Sequence, residues 1–142
     1  MPGAGEAIQL GSVVTTVFKA EAGNTDGAVS ITENVLAAGF AGPKLHFHRA
    51  TFDIFYVIEG TMRFRVGEQL VEAPAGSFVL VPPGFPHSFS NPGPRPARML
   101  NIQTPAGLEQ YLKEVAAETK EGVPTGKRMA EIASKYDFVS AE

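Results

Sequence analysis

Apolar and polar residues alternate with a period of two through most of the chain between about residues 12 and 104. The clearest run is TMRFRV, in which Thr61, Arg63 and Arg65 alternate with Met62, Phe64 and Val66, so residues 61–66 read as a strand with one wet face. The β-branched run SVVTTVFKA from Ser12 to Ala20 predicts another strand. Further strands are read at Ala28 to Leu36, around the histidine pair His46 and His48, and at Asp53 to Ile58, Gln69 to Ala73, Ser77 to Val81 and Ala97 to Gln103. Turn-forming residues separate them: GNTDG at 23–27, Ala37 to Pro43, Gly60, Gly67-Glu68, Pro74 to Gly76, Pro83-Gly84 and Asn91 to Pro94. Residues 1–10 read as a tail, or as an edge strand supplied to a partner.

Near Thr104-Pro105 the period lengthens to that of a helix. A helix from about Pro105 places Leu108, Tyr111, Leu112 and Val115 on one stripe, with Glu109, Lys113 and Glu114 outside it. Gly122 to Gly126 breaks it, and a shorter helix over roughly Lys127 to Tyr136 presents Met129, Ile132 and Ala133. Eight or nine short strands followed by two helices predict an all-β sandwich or barrel, with the helices packed outside the strands and taking no part in a site.

A chain of 142 residues has the length of one domain, here a barrel over about 12–104 and a helical segment over about 105–138. The net charge of -3 and the absence of any lysine or arginine run leave no electrostatic footprint for nucleic acid or an anionic membrane. No apolar stretch is long enough to span a bilayer and no basic leader opens the sequence, so a soluble, cytoplasmic protein is expected. There is no cysteine, so any metal must be held by nitrogen and oxygen.

The chemistry concentrates in GPKLHFHRATFDIFYVIEG, residues 42–60. His46 and His48 stand two apart, and residues at that spacing leave the same face of a strand about 6.5 to 7 Å apart, near enough for both rings to meet one ion at about 2.1 Å. Asp53 follows in the next strand. His87, the third and last histidine, shares parity with Phe85 and Phe89 and so faces inward. Three imidazoles and a carboxylate suit one divalent transition metal ion, whether iron, nickel, manganese, cobalt, copper or zinc, and not calcium or magnesium. Such a set leaves coordination positions for substrate, dioxygen or water. Phe55, Met62, Phe64, Phe78, Phe85, Phe89 and Met99 either line an apolar substrate pocket or fill the interior, and Asn101, sharing parity with Met99 and Gln103, offers a polar contact.

These residues resemble the two sequence motifs of the cupin superfamily. His46-Phe47-His48, Asp53 and Gly60 have the spacing of the first motif, although its acidic ligand is usually glutamate, one methylene longer. Gly76, Pro82, Gly84, His87 and Asn91 meet the second at every position. FYVIEG, VPPGFPHSFSN and the helical PAGLEQYLKEVA are similar to small single-domain cupins related to quercetin 2,3-dioxygenase. The resemblance implies a double-stranded β-helix, or jelly roll, and a metal site of His46, His48, His87 and Asp53. It implies a metal-dependent dioxygenase of a small enolic or phenolic substrate, with Asp53 as ligand or base, and a homodimer. A metal-dependent isomerase, cyclase or lyase, or a cupin that only binds a small molecule, are the alternative expectations.

Overall fold

The computed structural model describes residues 5–120 and 124–141. In chain order its elements are β1 (Ala7–Leu10), β2 (Val14–Ala20), α1 (Ala22–Thr25), β3 (Ser30–Leu36), β4 (His46–Phe47), β5 (Phe52–Glu59), β6 (Thr61–Val66), β7 (Gln69–Pro74), β8 (Phe78–Val81), β9 (His87–Ser90), β10 (Ala97–Thr104), α2 (Leu108–Thr119), α3 (Gly126–Ala133) and β11 (Val139–Ser140). The strands form two antiparallel sheets. One runs β1-β2-β3-β10-β5-β8, the other β11-β4-β9-β6-β7.

Alternation along the strands sends Val14, Leu36, Phe55, Val57, Ala97 and Met99 from the first sheet, and Met62, Phe64 and Ala73 from the second, into one apolar cluster. Phe55 and Phe64 meet with ring centroids 4.9 Å apart, which joins the sheets beside the histidines. The same parity leaves Phe52, Tyr56, Ile58, Phe78 and Leu80 on the outer face of β5 and β8.

Several sequence expectations change in the folded chain. The N-terminal strand pairs with the chain's own β2, from Ala7 opposite Val17 to Leu10 opposite Val14, rather than standing free for a partner. The turn at 23–27 contains the single helical turn α1, ended by Asp26 and Gly27 at positive φ. The long helix starts at Leu108, because Gly107 takes a φ of 141° that a helix cannot contain. Glu109 is fully buried rather than exposed: it accepts from the backbone N–H of Ala22 and of Gly107, both at 2.7 Å, and so ties α1 to the start of α2. Residues 121–123, which overlap the start of the expected break at Gly122 to Gly126, lie outside the described residues. No helix among the described residues is long and apolar enough to cross a membrane.

Asn91, the last residue of the second motif, serves the backbone. It is buried, and its Nδ2 lies within hydrogen-bond distance of the carbonyls of Leu36, Ala37 and Arg95 at 3.1, 3.1 and 2.8 Å while its Oδ1 accepts from Gly93 N at 3.2 Å. Gly42 serves a close approach: at φ 87° a Cβ there would stand 1.7 Å from the carbonyl oxygen of Phe89. Asn91→Ala strands those buried carbonyls and is expected to cost about 2 to 3 kcal/mol of stability, read as a lower urea midpoint with an unchanged denaturant slope.

Candidate metal centre

His46 and His87 stand directly opposite each other on β4 and β9, and His48 lies two residues beyond His46 on the same face. All three are buried. Asp53 projects from β5 of the other sheet, so the centre lies between the sheets. The turn through Gly84 joins the two motifs, since Gly84 N–H donates to His48 O at 2.7 Å.

Each histidine has its Nδ1 against a backbone carbonyl: His46 on Lys44 O at 2.8 Å, His48 on Asp137 O at 2.6 Å and His87 on Phe85 O at 3.0 Å. A carbonyl only accepts, so Nδ1 carries the hydrogen and the Nε2 of each neutral ring carries a lone pair. Those Nε2 atoms converge on Asp53, whose Oδ2 is 3.2 Å from His48 and 3.0 Å from His87. One ligand atom from each of the four residues lies within 4.8 Å of the others, close to the span of ligands about 2.1 Å from a single ion. Lone pairs facing a carboxylate at these distances call for a cation or a shared proton between them. The donor set therefore fits a divalent transition metal.

With a shared proton in that place, the three groups differ. Burial pulls His46 down to about 4, so that ring is neutral and available as a ligand at ordinary pH. Burial also opposes the charged form of His48, but the hydrogen bond and the charge of Asp53 outweigh it and leave the ring above its usual value. Asp53 is buried too, yet hydrogen bonds from His48 and His87 bring it well below the carboxylate range. Its other oxygen, Oδ1, accepts from Asn101 Nδ2 at 2.6 Å and Gln103 Nε2 at 3.4 Å. The shorter aspartate thus reaches the histidines while two amides hold its far side.

The helices stand outside the sheets, but the expectation that they take no part in the site is corrected. Leu108, Tyr111, Leu112 and Val115 of α2, Met129 of α3 and Phe138 line a cavity of about 260 Å³ that also contains His46, His48 and Asp53. Phe138 stacks on His46, with centroids 4.2 Å apart and planes 14° from parallel, and Tyr111 stacks on Phe138 in turn. β11 pairs with β4, placing Val139 opposite Phe47 and Ser140 opposite His46. Asp137 holds the loop after His48: its carboxylate accepts from the N–H groups of Arg49, Ala50 and Thr51 and from Thr51 Oγ1, at 2.5 to 3.0 Å.

Of the pocket residues expected from sequence, Phe89, Met99 and Asn101 line the cavity. Phe55, Met62 and Phe64 are packed core instead. Phe78 and Phe85 lie outside the lining, 62% and 51% exposed. Phe78 faces outward from β8. Phe85 precedes β9 in a turn with prolines on both sides, so the strand's parity does not extend back to it. Asp137, Phe138, Thr16 and Asn34 were not foreseen. The last two occupy inward positions of β2 and β3, which parity alone could have flagged; the first two follow a helix and carry no local signal.

Comparison with known proteins agrees with this geometry. The family model described as Cupin domain matches residues 33–103. No curated protein matches the sequence. Among solved structures, KdgF from Halomonas sp. is similar over 78% of this chain and 94% of its own, at 13% identity and a TM-score of 0.67. An RmlC-like cupin from Shewanella frigidimarina is similar over 78% and 92%, at 19% identity and 0.66. A predicted oxalate decarboxylase from Thermotoga maritima is similar over 70% and 90%, at 21% identity and 0.62. These likenesses establish the jelly-roll fold.

Burial raises the carboxyl of Asp137, but the N–H groups of Ala50 and Arg49 and the contacts of Thr51 outweigh it, so the group sits below its ordinary value of 3.8. A carboxyl depressed in the folded state stabilises above its unfolded pKa, and that contribution disappears as pH falls through the folded one. Acidifying below about pH 4 is therefore expected to loosen residues 49–51 and 137–141 ahead of the core, read by hydrogen exchange. In Asp137→Asn the same segments exchange faster at neutral pH and lose that acid step. Identical profiles in the two proteins would contradict the role given to Asp137.

Proposed function

The chain belongs to the cupin superfamily, and on that premise we propose that it is a metal-dependent oxidoreductase, a dioxygenase of a small enolic or phenolic substrate similar to quercetinase-like cupins. The observation that carries the reading is the set of three buried histidines and one carboxylate whose ligand atoms lie within 4.8 Å of one another, with His46, His48 and Asp53 lining the cavity. His46, His48 and His87 would hold the ion. A metal bound there supplies Lewis acidity, lowering the pKa of a coordinated hydroxyl, and in a redox-active ion a path for electrons to dioxygen.

Asp53 is a buried carboxylate whose Oδ2 faces His48 and His87. It suits a substrate hydroxyl that is already acidified, taking its proton on Oδ2 while Asn101 and Gln103 retain Oδ1. The walls from α2, α3 and Phe138 exclude water and seat the apolar part of the substrate. The likeness to a predicted oxalate decarboxylase favours one alternative, a lyase or isomerase that uses the same Lewis acid without oxygen.

Purified protein is expected to carry one transition metal ion per chain by elemental analysis, with His87→Ala losing it. Asp53→Asn is expected to lower turnover by about 10²-fold or more, and an oxygen electrode should record uptake with phenolic or enolic substrates. Turnover that persists anaerobically would exclude the dioxygenase in favour of the lyase or isomerase.

We also propose a homodimer. Phe52, Tyr56, Phe78 and Leu80, together on the outer face of β5 and β8, supply an apolar surface of the kind that self-association covers. Phe78→Glu is expected to shift the protein from dimer to monomer in multi-angle light scattering while retaining its metal. A wild-type monomer would refute the proposal.

A further inference from the structure

The two walls of the cavity differ in kind, and the difference bears on what it accepts. One wall is the inner face of the large sheet, where strand parity would ordinarily place aliphatic residues. Thr16, Asn34, Asn101 and Gln103 stand there instead. Their hydrogen bonds fall into two groups: Thr16 Oγ1 donates to Asn34 Oδ1 at 2.7 Å and Asn34 Nδ2 to Thr32 Oγ1 at 3.0 Å, while Ser30 Oγ donates to Gln103 Oε1 at 3.5 Å and Gln103 and Asn101 donate to Asp53. Asn101 spends both amide hydrogens, on Asp53 Oδ1 and on Ile54 O at 3.0 Å, leaving its Oδ1 as an acceptor for a ligand. Gln103 retains one N–H. The opposite wall, from α2, α3 and Phe138, is aliphatic and aromatic.

Among the described residues, no lysine or arginine lines the cavity. Lys113, beside Leu112 on α2, turns its ammonium away to Glu21 and Glu6 at 2.5 and 2.8 Å. Lys135 pairs with Glu114. An ion held by the histidines would attract an anionic group placed directly on it, but a charged group seated away from it, against α2 and Phe138, meets no side-chain cation among the described residues, and burying an unpaired charge is costly. The volume of about 260 Å³ falls below the roughly 300 Å³ at which pockets for drug-sized ligands begin. A single ring fits more readily than a fused polycycle.

Resting on the metal-centre reading above, we infer that the substrate is a one-ring molecule with a hydroxyl on the edge facing Asn101 and Asp53 and an uncharged, apolar substituent against α2 and Phe138, and that the same ring carrying an anionic group at that far end is rejected. Isothermal titration of the purified protein with its bound metal tests this, with 4-propylphenol, propylbenzene and 3-(4-hydroxyphenyl)propanoate as probes. The expected order puts 4-propylphenol at least tenfold tighter than each of the other two. Val115→Lys, which sets a cation in the apolar wall, is expected to weaken 4-propylphenol at least tenfold with metal content unchanged.

The wild-type order decides the matter if that variant does not fold. The anionic phenol binding as tightly as 4-propylphenol, or propylbenzene matching it, overturns the inference. A full complement of metal with the order reversed would remove the substrate class and leave the metal centre. Absence of metal with the order retained would do the opposite.

Discussion

Three backbone carbonyls, those of Lys44, Phe85 and Asp137, decide how this molecule can act. By accepting the Nδ1 hydrogens they turn every histidine the same way, with the basic nitrogen inward. Free imidazoles would rotate and exchange tautomers, and a site that had to order them on binding would lose affinity in doing so. Here the ordering cost is met during folding. The carbonyls come from a loop before β4, a turn before β9 and the segment after α3, so the site depends on backbone geometry well beyond its own side chains.

The distance between the sheets is the second requirement, because the histidines belong to one and Asp53 to the other. Phe55 and Phe64 fill that gap next to the site, with Phe55 6.4 Å from the His87 ring and 5.4 Å from Phe89. Aromatic rings are rigid spacers, so the core beside the centre also sets its width. The price is a polar group inside the barrel, offset by the two amides and two imidazoles that surround the Asp53 carboxylate.

How much of this could be read in the sequence follows from how local each feature is. Alternation in Thr61–Val66, glycine at Gly60 and Gly84, and the i,i+2 histidines all express constraints acting within a few residues, and the strands and the metal-binding set were legible from them. The aromatic residues were less so, because parity says which face a residue takes only while the strand continues. Phe85 sits just outside its strand and Phe78 on the outer face of an edge strand. Glu109 read as a solvated helix position, since nothing nearby reveals that its partners are at Ala22 and Gly107. Asp137 and Phe138 meet residues near 46 to 51 only through the fold. Contacts separated that far along the chain leave no period to detect.

The placement of Asp137 and Phe138 also bears on how the protein is made. A ribosome releases the barrel strands first, so His46, His48, Asp53 and His87 are exposed to the cell's ion pool before the carbonyl that orients His48 or the ring that backs His46 has been translated. During that interval the ligands are imperfectly aimed and any captured ion can still leave. Pairing of β11 with β4 completes the seat, so an ion held here would meet its finished geometry only once residues 137–140 have been made.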